Sequence, residues 1–259
     1  MKDLRGSWNQ RADRLGRSHR GVLFQGLPDH VNEAIHRWHV DLVARNVLAH
    51  VPQGGRILDL GCGYGRLAEN VRSLRPDIDI VGLDFSQAYC EMFNRSRAGA
   101  SVCADLRRLP FGNARFDAVL AVTVLMYVSV PEARAVVEAV RRVLVDGGVA
   151  LFVDPSSESL NVARLLKKKG AGPIGPETPA NGFSHGAYRA LFKRDGMEII
   201  GSGGNTSLTL FLPIMMATRH ESAVRRLNRW AGLLAGVLDR SDRIAVHRWL
   251  AVRSTSTGA

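Results

Sequence analysis

Three glycines and three carboxylates carry the chemistry that this 259-residue chain can be expected to do. The stretch ILDLGCGYG at 57–65 places Gly61, Gly63 and Gly65 where an apolar run breaks into a polar one. Glycine there permits a tight turn and lets a ligand lie against bare backbone, because a Cβ would clash or forbid a positive φ. Asp59, two residues before the first glycine, sets a carboxylate where a ligand ammonium group can reach it directly or through water. Asp84 follows twenty-five residues later, at a spacing suited to accepting hydrogen bonds from both hydroxyls of a ribose. Asp105, in ADLRRLPF, can accept from an adenine amino group while the amide of Leu106 donates to a ring nitrogen. Each acid taken alone could equally be a helix N-cap or a turn residue. Together they fall at the carboxyl ends of three successive expected strands, the edge where doubly wound sheets bind ligands.

The elements that must position these groups are legible as periodicity. Val31, Ile35, Trp38, Leu42, Val43, Val47 and Leu48 recur at helical spacing, so an amphipathic helix is expected over about 30–49, ended by Pro52 and Gly54-Gly55. Strand Arg56–Leu60, helix Arg66–Leu74, strand Ile78–Asp84, a helix from Gln87 to about Arg95, strand Ser101–Asp105 and strand Phe116–Val124 follow. A helix opened by Pro131 runs to about Leu144 and leads to strand Val149–Asp154. Runs such as AVLAV are apolar without alternation, as in a parallel sheet covered on both faces. The basic run Lys167–Lys169 and the loop AGPIGPETPANG read as irregular. Ser184 then caps a helix over roughly His185–Arg194, strand Glu198–Ser202 follows, residues 205–245 read as a helical insertion, and WLAVRS supplies the last strand. The expected fold is α/β: a Rossmann-like, doubly wound, mostly parallel seven-stranded sheet with a helical N-terminal lid and a C-terminal helical cap. It is read as a single domain over 1–259, with lid helices in 1–50, a ligand-binding core in 51–204, and the cap and last strand in 205–259.

The segments DLGCGYG, VGLDFS, ADLRRLPF, FDAVLAVTVLMYV and RRVLVDGGVALFVDP, in this order and spacing, resemble the class I S-adenosylmethionine-dependent methyltransferase family, and within it the ubiquinone and menaquinone methyltransferase group. The resemblance covers about residues 55–154 and implies S-adenosyl-L-methionine as cofactor. It implies that Asp59, Gly61 and Gly63 hold the methionine end, Asp84 the ribose, and Asp105 with Leu106 the adenine. Phe85 would flank the adenine, and the backbone carbonyls of Val122 and Thr123 would line the site. Trp8 and Arg11, in SWNQRADRLG, resemble the family's N-terminal lid. Two departures concern the acceptor: Leu15 stands where that lid often carries an aromatic, and Tyr127 where histidine is common.

Methyl transfer from a sulfonium is an in-line displacement that needs no metal, so alignment and exclusion of water are the protein's main tasks. A general base helps where the acceptor is a hydroxyl or an ammonium, and the candidates are Tyr127, Asp154 and His185. Tyr127 could instead be a packing aromatic, and His185 begins an ordinary helix. His36 and His39 could face the pocket, although a surface position suits them better. A nicotinamide-dependent dehydrogenase shares the glycine turn and a following acid, but its strand is apolar where Asp59 stands and its glycines are spaced GxGxxG. A nucleic-acid methyltransferase fits the positive charge and lacks an aromatic-basic stacking pattern. A non-catalytic cofactor-binding protein of the same fold is the third reading.

Charge is divided unevenly. Residues 40–160 hold thirteen Lys and Arg against fourteen Asp and Glu, whereas residues 219–259 hold eight against three, within a net charge of +11. A neutral core with basic additions suits an anionic or amphipathic acceptor, an anionic membrane surface or a nucleic acid, and nucleic acid is the least favoured. The favoured reaction is O-methylation of a natural product, quinone-like lipid or glycan-lipid. Cys62, Cys90 and Cys103 form no CxxC pair, so neither disulfides nor zinc are expected, only small buried thiols. The N-terminus has no apolar segment of the secretory kind, which makes a cytoplasmic location the expectation. The longest apolar stretch, Leu208–Ala217, is broken by Pro213 and is shorter than the ~18–20 residues of a membrane span.

Overall fold

The computed structural model describes residues 4–156, 183–193, 196–218 and 221–255. The Lys167–Lys169 run, the AGPIGPETPANG loop and the expected helix end at Arg194 lie outside them. Seven strands form one sheet: β1 (Arg56–Leu60), β2 (Asp79–Asp84), β3 (Ala100–Cys103), β4 (Phe116–Val122), β5 (Leu144–Pro155), β6 (Met197–Gly204) and β7 (His247–Ser254). Their order is β3-β2-β1-β4-β5-β7-β6. The pairs among β1 to β5 are parallel, and β7 runs antiparallel between β5 and β6. The reversal of order on either side of β1 opens a crevice at the carboxyl ends of β1 and β4, where a doubly wound sheet receives its ligand.

The helices sort by the face they cover. Successive strand residues point to opposite faces, so Leu58, Leu60, Val119 and Ala121 pack on one side against Val136, Val137 and Val140 of α6 (Val130–Val143) and Leu191 and Phe192 of α7 (His185–Phe192). Ile57, Leu120 and Val122 pack on the other side against Trp38, Leu42 and Val43 of α3 (Asp29–Val43), and Leu67 and Val71 of α4 (Arg66–Leu74). Both faces of β4 are therefore dry, which is why its sequence lacks alternation. Removing a fully buried ring such as Phe152 or Phe192, 4.6 Å apart, would cost about 3–5 kcal/mol.

Three helix starts follow from cap chemistry. Ser86 caps α5 (Gln87–Ser96) by accepting from the Tyr89 amide. Ser129 and Glu132 form a reciprocal capping box at α6, with a proline in its first turn. Ser184 accepts from the Ala187 amide at α7. Four expectations need correction. β3 stops at Cys103, so Asp105 sits in the turn beyond it. β4 stops at Val122, because Thr123 takes a φ of 60°, which no strand residue adopts. β5 begins at Leu144 rather than Val149, with a register shift opposite Phe116 that absorbs the extra residues. The cysteines are free as expected, but Cys103 is exposed.

The lid is α1 (Leu4–Leu15) and α2 (His19–Val22), followed by α3, which continues as one turn of π-helix through Leu48. The cap is α8 (Thr206–Ala217) and α9 (Glu221–Leu238), inserted between β6 and β7. Leu208, Leu212, Met215 and Val224 of the cap share a buried cluster with Leu23, Phe24, Leu27, Val31 and Ile35, so cap and lid brace each other.

Candidate functional site

A cavity of about 640 Å³ opens at the carboxyl ends of β1, β2 and β4. Among its walls are Gly61, Gly63, Asp84, Phe85, Asp105, Leu106, Thr123 and Tyr127, with Leu4, Arg5, Trp8 and Val22 contributed by the lid. The glycine turn behaves as its sequence demands. Gly61 and Gly63 have φ of 66° and 53°, and added Cβ atoms would lie 2.7 Å from Val124 Cγ2 and 2.9 Å from Val22 Cγ1. Side chains there would be strained in backbone and would displace cavity wall.

Asp84 is held rigidly. One oxygen accepts from the Gly63 amide at 3.0 Å and the other from the Ser86 amide at 2.9 Å. Burial raises its pKa to about 6 against the opposing pull of those amides. Each oxygen retains accepting capacity beyond these amides, and Asp84 lines the cavity, which is what a ribose diol requires. Asp59 is 3% exposed, and its Oδ2 has no hydrogen-bond partner among the described residues. Burial pushes its pKa to about 7, while Arg66 pulls it down and Asp84 pushes it further up. A buried carboxylate oxygen without a donor is costly, and a ligand ammonium would relieve it. That orphan, together with glycine positions that a Cβ would close, fits the methionine end of S-adenosyl-L-methionine. Asp59 itself, two residues before Gly61, is not among the residues that line the cavity wall.

Asp105 lines the cavity but is paired with Arg107, at 2.5 Å, and Arg107 bridges on to Glu132 at 2.8 Å. Hydrogen bonding to Arg107 holds the Asp105 carboxyl below its ordinary range, and the Ser129 amide with Arg107 brings Glu132 down to about 2. Thr123 is a β-branched residue in the left-handed region, an uncommon and strained state. Its amide donates to the Val153 carbonyl at 2.6 Å and its hydroxyl to the Val122 carbonyl at 2.7 Å. The Val122 carbonyl is therefore engaged, and its side chain packs in the core, so only Thr123 of that pair reaches the cavity. Tyr127 packs edge-on against Trp8 with ring centroids 5.2 Å apart, and burial raises its phenol pKa.

The structure keeps five other expected residues off the cavity wall. Arg11, 1% exposed, donates to the carbonyls of Arg20 and Leu23 at 3.0 and 2.8 Å and stacks on Trp8, so it ties α1 to α2 from behind. Asp154 is fully buried. It accepts from Tyr188 Oη at 3.0 Å and from the Met126 amide at 3.1 Å, which fixes the turn after β4. Burial raises its pKa to about 7 against those donors. His185 is exposed and pairs with Asp242 at 2.9 Å. His36 and His39 are buried, not on the surface. His36 faces Arg66 at 3.2 Å, and burial followed by the Arg66 charge lowers its pKa to about 3. Residues the sequence did not single out also contribute: Val22 seats on Gly63, and Tyr89 lines the cavity while donating to the Gly21 carbonyl at 2.8 Å. Their only sequence signal is apolar spacing in a lid and a helix, which says nothing of which wall they form.

Comparison with known proteins agrees with this geometry. The family described as "Methyltransferase domain" matches residues 57–148. The malonyl-[acyl-carrier protein] O-methyltransferase of Legionella pneumophila is 38% identical over 78 residues, 29% of this chain and 28% of that protein. The fatty-acid O-methyltransferase of Mycolicibacterium smegmatis is 30% identical over 134 residues, 50% of this chain and 47% of that protein. The probable tRNA methyltransferase 9B of Homo sapiens is 30% identical over 118 residues, 45% of this chain and 25% of that protein. The matched stretches thus span between a quarter and a half of these relatives. Among solved structures, magnesium protoporphyrin IX methyltransferase from Synechocystis PCC 6803 shares the fold, with a TM-score of 0.62 at 15% identity over 97% of this chain and 98% of that one.

Proposed function

Since residues 57–148 are a methyltransferase domain within a class I, S-adenosylmethionine-dependent fold, we propose that the chain methylates an oxygen of a small or medium-sized acceptor that is anionic and amphipathic, its reacting group a carboxylate. In this reading Asp59 takes the cofactor ammonium, Asp84 the ribose, and Asp105 with the Leu106 amide the adenine. Phe85 flanks the base, while Thr123, Trp8 and Tyr127 wall the methyl-bearing end. When bound, the cofactor supplies an electrophilic methyl group on a sulfonium.

One observation carries the choice of acceptor: among the described residues, every titratable acid or phenol on the cavity wall is occupied or protonated. Asp84 is held by two amides, Asp105 and Glu132 by Arg107, and Tyr127 and Tyr89 are phenols with raised pKa. Among the described residues no imidazole lines the cavity. A hydroxyl or ammonium acceptor would need one of these groups to take a proton. A carboxylate would need none, because it already carries the lone pair that would take the methyl group, and its methyl ester leaves no proton for these residues to remove. The relatives named for malonyl-carrier and fatty-acid O-methylation support the same acceptor chemistry. Arg5, exposed on the cavity wall, adds a positive charge there that suits an anionic acceptor.

The test is incubation with methyl-tritiated cofactor and fatty acids, malonyl thioesters or tRNA, followed by mild alkali. A methyl ester releases its label as volatile methanol. Alkali-stable label in a small molecule refutes carboxylate methylation. Label in tRNA supports a second reading, RNA methylation, which the tRNA methyltransferase relative and the net charge of +11 favour.

A further inference from the structure

The two cap helices present an apolar surface that neither the cavity nor the core uses. Leu210 and Ile214 of α8 are 50% and 55% exposed, and Trp230, Leu233, Leu234 and Val237 of α9 are 59%, 69%, 41% and 76% exposed. On α9 the spacing i, i+3, i+4, i+7 puts all four on one side of the helix. The same helix packs a different side, Val224 and Ala231, into the fold, so the exposed stripe is a second apolar face. α8 and α9 lie against each other, so both sets belong to one helical pair.

The charge around that patch has one sign. Arg226, Arg229, Arg240 and Arg243 are exposed, and none of them is paired with an acid among the described residues. The nearby acids are turned to other work. Asp239 accepts from Trp38 Nε1 at 3.3 Å and from the Ser207 amide at 2.7 Å, and Asp242 pairs with His185. At 3.6 residues per turn Arg226 and Arg229 fall within or beside the apolar stripe, and Arg240 follows just past the end of the helix. Their long stems can lie along it while the guanidinium groups reach outward.

We infer that the α8–α9 face docks on an anionic lipid bilayer, with Leu233, Val237 and Trp230 entering the headgroup and acyl boundary and the four arginines meeting lipid phosphates. Apolar area plus basic charge is what holds a surface-lying helix on anionic lipid, and tryptophan favours that boundary. Charge complementarity selects this occupant. A second copy related by two-fold symmetry would set the arginines against one another, and a nucleic acid would leave the leucines and valine in water. No helix among the described residues is long and apolar enough to cross a membrane, so the contact is peripheral. This inference does not depend on which acceptor is methylated.

Flotation of the full chain with phosphatidylcholine vesicles, with and without phosphatidylglycerol, tests it. The expected result is co-flotation with the phosphatidylglycerol vesicles at low salt and at least a tenfold loss on vesicles without it. The pair Leu233→Glu and Val237→Glu, at positions too exposed to unfold the chain, should abolish flotation while circular dichroism stays unchanged. Replacing the four arginines with glutamine should remove the preference for phosphatidylglycerol. A Trp230→Phe variant should lose the blue shift in fluorescence that vesicles induce in the parent. The inference is overturned if the chain ignores both vesicles, if the glutamate pair floats as well as the parent, or if sedimentation shows a dimer that the glutamate pair dissociates. RNA retention that the arginine set abolishes, with vesicles ignored, would assign the face to nucleic acid instead.

Discussion

If Asp59 takes the cofactor ammonium, as proposed above, cofactor binding depends on pH, because the ionisation of Asp59 is tied to burial. Its pKa lies at about 7 in the folded chain, against an ordinary value of 3.8, chiefly because burial disfavours the charged form. A carboxyl whose folded pKa is raised binds its proton more tightly when folded, so this group lowers stability as pH rises from about 4 toward 7. Affinity for an ammonium group moves the other way over the same span, since only the carboxylate attracts it. About one pH unit below the folded pKa roughly ten in eleven carboxyls are protonated, and S-adenosylmethionine should bind about tenfold more weakly at pH ~6 than on the plateau above 7, equivalent to 1.36 kcal/mol per unit. Isothermal titration in two buffers of different ionisation enthalpy should register about one proton released per cofactor bound near pH 6. Asp84, raised only to about 6, adds a smaller release. Asp59→Asn should flatten the pH profile and weaken binding about ten- to hundredfold, the worth of one hydrogen bond to a charged group at about 1.5–3 kcal/mol. The same variant should not lower thermal stability near pH 8, where the parent carries a buried charge. A parent whose Kd is flat from pH ~6 to ~8, or an asparagine variant that keeps the slope, would refute the assignment of the ammonium to Asp59.

Four further outcomes follow from the geometry. Gly63→Ala puts a side chain at φ 53° and a Cβ 2.9 Å from Val22, so backbone strain of about 1–2 kcal/mol and a shifted lid should cost at least tenfold in cofactor affinity by titration. Tyr188→Phe removes the 3.0 Å donor to Asp154 and should lower stability by about 2 kcal/mol in denaturant unfolding, with cofactor affinity of the folded protein unchanged; a selective loss of affinity would return Asp154 to the site. Arg11→Ala strips two carbonyls of their donor and should speed proteolysis and hydrogen exchange across residues 16–28 before it alters the core. His185→Ala, at an exposed pair with Asp242, should leave kcat/KM within about twofold, whereas a large fall in kcat would show that the histidine reaches the acceptor.

The strand ends that carry Asp59 and Asp84, the positive φ of Gly61, Gly63 and Gly65, and the caps at Ser129 and Ser184 were all readable from the sequence. Each depends on local chemistry: a run of buried apolar residues, a glycine where no Cβ fits, a hydroxyl facing free amides. The helical cap, too, was marked by apolar stretches that fit no strand. Where each polar side chain points was decided by tertiary packing. Asp154 ends a strand just as Asp84 does, yet Tyr188, thirty-four residues later, turns it into a structural anchor. Arg11 sits in the lid one helical turn from Trp8, yet only Trp8 faces the cavity, because α2 offers carbonyls on the opposite side. His36 and His39 share a helix whose polar residues read as a solvent face until α4 and β7 cover them. Periodicity reports that a face is buried, but a lone polar residue has no period. Its role is fixed by whichever distant donor, acceptor or cavity the fold brings to it.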